Sequence, residues 1–128
     1  MNLLLDTNII IDWYTHGPSV AYLENKINEE GTELSTSIIC AIEFLIKAKK
    51  REQQSFYTLV NNFELILYSF SGFDSASLIA NICRDQGLKI PDAVIIYTAI
   101  ENNCCLVTRD KELYQKGRHI CNIEYILS

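Results

Sequence analysis

The sequence contains no apolar run close to the ~18 residues needed to cross a bilayer, which argues against a membrane-spanning helix. No basic region precedes the short apolar run from Leu3 to Leu5, and no small-residue cleavage pattern follows it. The expected location is therefore the cytoplasm. The five cysteines, Cys40, Cys83, Cys104, Cys105 and Cys121, are odd in number and lack C-x-x-C spacing, so they suggest neither a disulfide framework nor a zinc site. Reduced packing roles are expected, with the adjacent Cys104 and Cys105 pointing to opposite faces of a strand. Positive charge is also in deficit: the net charge of -5 argues against a nucleic-acid binder working through a general basic surface. That objection weakens if some of the acids surround cations, because each bound ion cancels part of the count.

What is present suits one domain over residues 1–128, with 48% hydrophobic content and enough length to bury about two-thirds of the surface the unfolded chain exposes. Strand-like segments are expected at residues 2–5, 32–36, 65–69, 104–107 and 120–123. Helical patterns fall at 8–14, 19–30, 38–50, 54–62, 74–86 and 91–102. Gly17-Pro18 separates the first two helices, Ser37 begins the third, a polar break at 51–54 ends it, and Gly87 stops the fifth. Strands alternate with helices, and the strand runs are apolar throughout, which indicates a parallel sheet covered on both faces and an α/β class. Ligands of such sheets collect outside the carboxyl ends of the strands.

Four acids stand at the edge of the expected core. Asp6 and Asp110 follow two apolar strands. Glu43 interrupts a helix whose apolar stripe, Ile38, Ile39, Ile42, Leu45 and Ile46, is expected to face inward. Asp92 follows Pro91 in the first turn of a helix that is apolar nearly all round. Each acid has an ordinary alternative: Asp6 or Asp110 as a helix cap, Asp92 favoured by a helix dipole, Glu43 reaching solvent. Several carboxylates buried together are costly unless cations neutralise them, and hard oxygen donors suit Mg²⁺ or Mn²⁺.

The stretches "LLLDTNIIID", "CAIEFLIKA", "PDAVIIYTA" and "LVTRDKEL" resemble the PIN-domain ribonucleases, particularly the VapC-type toxins of toxin-antitoxin pairs. The resemblance runs over the whole chain. It implies a parallel sheet in the order 3-2-1-4-5 flanked by helices, and it makes Asp6, Glu43, Asp92 and Asp110 the acidic, metal-holding cluster. Thr108 resembles the supporting hydroxyl residue two positions before the last acid, and Asn8 of D-T-N resembles a group just behind the cluster. Glu112-Leu113 departs from the Asp-Phe that many relatives carry there. The resemblance also implies a homodimer and a partner antitoxin.

No Ser-His or Cys-His nucleophile pair is evident, so the simplest attacking group on an RNA phosphodiester is a water made acidic by a metal, leaving a 5′-phosphate and a 3′-hydroxyl. Lys47, Lys49, Lys50 and Arg51 form a basic stretch that suits either a helix C-terminus or a grip on RNA phosphates, helped by Arg109 and Lys111. Asp12 is expected in a solvated or hydrogen-bonded surface role. A haloacid-dehalogenase-type phosphatase would need a second Asp where Asn8 stands, and a receiver-type domain would need an acceptor Asp at the end of the strand at 65–69. A non-catalytic nucleic-acid- or protein-binding module on the same fold is the rival from outside enzymology.

Overall fold

The computed structural model describes residues 1–127. Five strands, β1 (Asn2–Leu5), β2 (Glu33–Ser37), β3 (Ile66–Tyr68), β4 (Cys105–Thr108) and β5 (Ile123–Tyr125), form one sheet in the order β3-β2-β1-β4-β5. Every pairing is parallel, as expected from the apolar runs of β1 and β4 and the alternation of strands with helices. The helices are α1 (Thr7–Thr15), α2 (Val20–Ile27), α3 (Ile38–Lys47), α4 (Lys50–Asn61), α5 (Gly72–Gln86), α6 (Ile90–Glu101) and α7 (Lys111–Gly117).

The central strands carry the core. Leu3, Leu4, Leu106 and Val107 are fully buried, and α6 adds Ala93, Val94, Ile95, Ile96 and Ala99. The Ser35–Ser37 half of β2 is buried although it is polar, and the neighbouring strand satisfies two of its hydroxyls: Ser35 Oγ donates to the Leu3 carbonyl and Thr36 Oγ1 to the Leu5 carbonyl, both at 2.8 Å. In register, Leu5 lies beside Thr36 on one side and Val107 on the other, so the carboxyl ends of β1, β2 and β4 form one rim. Asp6 N–H extends that pairing by donating to the Val107 carbonyl at 3.0 Å.

Several boundaries differ from the sequence expectation. The third helix stops at Lys47, and the stretch at 51–54 is helix instead of a break. The interruption is Ala48-Lys49, where Lys49 N–H donates to Glu52 Oε1 at 2.8 Å and Gln53 Nε2 to the Ala48 carbonyl at 2.9 Å, starting α4 at once. The last strand is Ile123–Tyr125, later than expected, held by Leu106 N–H to the Asn122 carbonyl and Ile126 N–H to the Thr108 carbonyl. Gly87 does end α5, with a left-handed φ of 65°.

The largest correction concerns α3. Its buried side chains are Cys40, Ala41 and Phe44, while Ile42, Leu45 and Ile46 are 47%, 40% and 74% exposed. Phe44 turns the helix this way by packing between Tyr14 and Phe56, with ring centroids 5.1 and 5.0 Å apart. The five cysteines are free; Cys40 and Cys104 are buried, and Cys83, Cys105 and Cys121 are half-buried.

Candidate functional site

Asp6 leaves β1 and caps α1. It is 6% exposed, and both its oxygens accept hydrogen bonds: Oδ1 from Thr7 N–H at 2.7 Å, Oδ2 from Thr108 Oγ1 at 2.6 Å and Asn8 Nδ2 at 3.4 Å. Thr108 Oγ1 in turn accepts from Asp110 N–H at 3.0 Å, so one buried hydroxyl ties the acid after β1 to the acid after β4. Asn8 also serves both sides, because its Oδ1 accepts from Arg109 N–H at 3.2 Å. Asp110 Oδ1 caps α7 by accepting from Leu113 N–H at 3.1 Å, and Leu113, at the position where many relatives carry Phe, is buried in the core.

Glu43 reaches the same rim from α3. It is exposed, because the outward turn of Ile42 and Ile46 carries it away from the buried face, but its Oε1 accepts from Thr7 Oγ1 at 2.7 Å. Thr7 is thus a link that the sequence reading left unassigned, since a threonine one residue from an acid carries no spacing signal of its own. Asp92, half-buried, comes from the first turn of α6.

The electrostatics join the four. Burial pushes the Asp6 carboxyl above its usual range; hydrogen bonds from Thr108 and Thr7 pull it back, while the charges of Asp110 and Glu43 push it further up. Asp92 is pushed up to about 6, first by burial and then by Asp110, Asp6, Glu43 and Glu112. The charges acting on Asp6 and Asp92 are all negative, which marks an anionic rim. The PIN domain family profile matches residues 3–118. This chain belongs to the PIN-domain family.

The fold has solved counterparts. VapBC2 from Rickettsia felis, bound to a DNA fragment from its promoter, aligns with a TM-score of 0.71 at 22% identity, covering 99% of this chain and 100% of that one. A toxin-antitoxin complex from Klebsiella pneumoniae aligns at 0.73 with 26% identity over 98% and 99% of the two chains. VapBC-1 from nontypeable Haemophilus influenzae aligns at 0.72 with 18% identity over 98% of each. No curated protein sequence matches this chain.

In this PIN domain the donor set fits a hard divalent cation, since Asp6, Glu43, Asp92 and Asp110 offer carboxylate oxygens alone. Among the described residues, no three His, Cys, Asp or Glu side chains are gathered tightly enough to enclose an ion. The two observations are compatible: mutually repelling carboxylates stand apart, and Mg²⁺ uses one or two protein carboxylates and keeps several waters. Hollows of 690 and 370 Å³ lie away from these acids, the first lined by Trp13, Ile27 and Phe63 among others, the second by Arg118 and His119 among others.

The basic candidates separate. Lys47 is exposed at the end of α3 and lines a groove of 170 Å³ with Tyr14, Phe44 and Glu52. Arg109 turns its guanidinium to Asp12, with Nε 2.7 Å from Oδ2, so its charge is committed to a carboxylate and is not held out to a phosphate. Asp12, expected at the surface, is 3% exposed; it is hydrogen-bonded, but inside the molecule.

Proposed function

We propose that this PIN domain is a Mg²⁺- or Mn²⁺-dependent endoribonuclease and the toxin of a type II toxin-antitoxin pair. The observation that carries the reading is the uncompensated acid rim, in which Asp92 is pushed up to about 6 by burial and by its acidic neighbours. The family match supports a nuclease, and the likeness to VapBC complexes supports the toxin role.

Asp6, Asp92 and Asp110 would hold the cation, directly or through its waters, and Glu43 would join directly or through water. When bound, the ion lowers the pKa of water and offsets charge on the phosphate. Thr108 keeps Asp6 and Asp110 at a fixed separation, and Asn8 braces Asp6 from the other side. Lys47, one turn beyond Glu43 on α3, would meet a phosphate of the strand lying across the rim. Hydrolysis proceeds by in-line attack of water on phosphorus and cleavage of the P–O3′ bond, giving a 5′-phosphate and a 3′-hydroxyl. The partners are RNA, a second copy of the chain and an antitoxin protein. The exposed Ile42, Leu45 and Ile46 give α3 an apolar surface suited to a protein partner. Among the described residues no helix is long and apolar enough to cross a membrane; the reading places the enzyme in the cytoplasm.

The test is incubation of purified protein with labelled RNAs under Mg²⁺, Mn²⁺ or excess EDTA. Cleavage with either ion, lost in EDTA and in Asp6→Asn, is expected. Cleavage that persists in either condition overturns the reading.

A further inference from the structure

The acid rim has a compensated neighbour. Asp12 Oδ2 lies 2.7 Å from Arg109 Nε, and its Oδ1 accepts from Arg109 Nη2 at 3.0 Å. The Nε approach is oblique, so that contact is ionic and not a hydrogen bond. Ser19 donates to Oδ2 twice, from N–H at 3.1 Å and from Oγ at 2.7 Å. A Cβ at Gly17 would overlap the Asp12 carboxylate, so the backbone closes over the pair on that side. Asp12 is therefore a buried anion with a complete set of partners.

Its cation belongs to the turn that carries the rim. Arg109 sits between Thr108, which donates to Asp6, and Asp110, and its own N–H is held by Asn8. An arginine is charged at every working pH, and a guanidinium matches carboxylates well. Left unpaired on this turn, it would be drawn to the neighbouring uncompensated acids and compete there with a divalent ion. Helix α1 supplies the alternative anion six residues beyond Asp6.

We propose that Asp12 is a positioning residue that holds the Arg109 guanidinium away from Asp6 and Asp110, leaving those carboxylates to a divalent cation. The proposal rests on the reading of the rim as a cation site. It distinguishes Asp12 from a plain structural ion pair, because Arg109 becomes an internal inhibitor once Asp12 is neutral.

Calorimetric titration of Mn²⁺ into the full chain tests it, with RNA cleavage measured in parallel. Asp12→Asn is expected to weaken Mn²⁺ binding about tenfold, in the range of losses seen when groups behind a metal site are changed. Arg109→Lys, which keeps a cation for Asp12, stays close to wild type. Asp12→Asn combined with Arg109→Gln recovers most of the affinity, since the competing charge is gone. Should Asp12→Asn fail to fold, Ser19→Ala loosens Asp12 while keeping both charges and is expected to weaken Mn²⁺ binding in the same direction by about twofold. Folded Asp12→Asn that binds Mn²⁺ like wild type overturns the proposal, as does a loss that the double variant leaves unrepaired. Variants that show this pattern of Mn²⁺ binding while the wild-type chain leaves RNA intact overturn the nuclease reading and uphold the role of Asp12.

Discussion

Asp6 caps α1 and Asp12 lies on it six residues later; both are nearly inaccessible to solvent, and they keep opposite company. Asp6 accepts hydrogen bonds from Thr7 and Thr108 and faces the charges of Asp110 and Glu43. Asp12 faces a guanidinium and two donors of Ser19. Burial alone therefore separates nothing; what differs is whether the chain itself supplies the countercharge. A buried carboxylate that the fold balances holds the structure together, and one that the fold leaves unbalanced is available for an external ion.

Substitution at the two positions should break the molecule in different ways. Asp6→Asn removes a cation ligand and is expected to lower RNA cleavage by about 100-fold or more, equivalent to ~3 kcal/mol of barrier, with little loss of melting temperature. Asp12→Ala leaves Arg109 without its partner and costs about 3 kcal/mol of stability, lowering the melting temperature by roughly 10 °C in a thermal scan. If Asp6→Asn melts early and Asp12→Ala does not, the contrast between the two acids is wrong.

Gly17→Ala sharpens the second half of the comparison. The added Cβ meets the Asp12 carboxylate, so a cost of about 2 kcal/mol is expected in denaturant unfolding. Thr108→Val sharpens the first half. It removes the hydroxyl shared by Asp6 and Asp110 at nearly constant volume, and should reduce cleavage by about 10-fold with ~1 kcal/mol of destabilisation, read from kcat and chemical unfolding.

The smallest effect is a pH dependence of the metal-free chain. Burial and acidic neighbours push the folded Asp92 carboxyl up to about 6 from the 3.8 of the unfolded chain, so its protonated form is favoured by the fold. The stability it contributes is complete below that unfolded value and is lost as pH rises through about 6. Solvent reaches this half-buried carboxyl and screens it, which leaves about 1 kcal/mol. Thermal unfolding in EDTA should thus show a melting temperature that falls between about pH 4 and about 6 and then levels off. With Mn²⁺ present the trend reverses, because the ion binds the ionised form.

The sequence made some of this legible for identifiable reasons. The runs Leu3 to Leu5 and Cys104 to Val107 are apolar and are followed within three residues by Asp6 and Asp110, which is enough to read buried parallel strands with those acids just past their carboxyl ends. The order of the strands came from the resemblance, and the sheet has that order. Helix α3 was misread because Ile38, Ile39, Ile42, Leu45 and Ile46 make a longer apolar stripe than Cys40, Ala41 and Phe44, yet the aromatic packing of Phe44 decides which side turns inward. Glu43 was singled out as a carboxylate on a buried stripe; it is exposed, and a contact with Thr7 brings it to the rim. Asp12 was assigned to the surface because its partners, Ser19 and Arg109, lie seven and 97 positions away, and no local pattern reports a pairing at the longer separation.

The measurement that bears most directly on the acid rim is a crystal of the chain grown with Mn²⁺ and examined by anomalous scattering. The account predicts at least one peak within coordinating distance of Asp6, Asp92 or Asp110 oxygens, with Arg109 still on Asp12. Well-ordered density for all four acids and no anomalous peak among them, at a Mn²⁺ concentration that supports RNA cleavage, would contradict it.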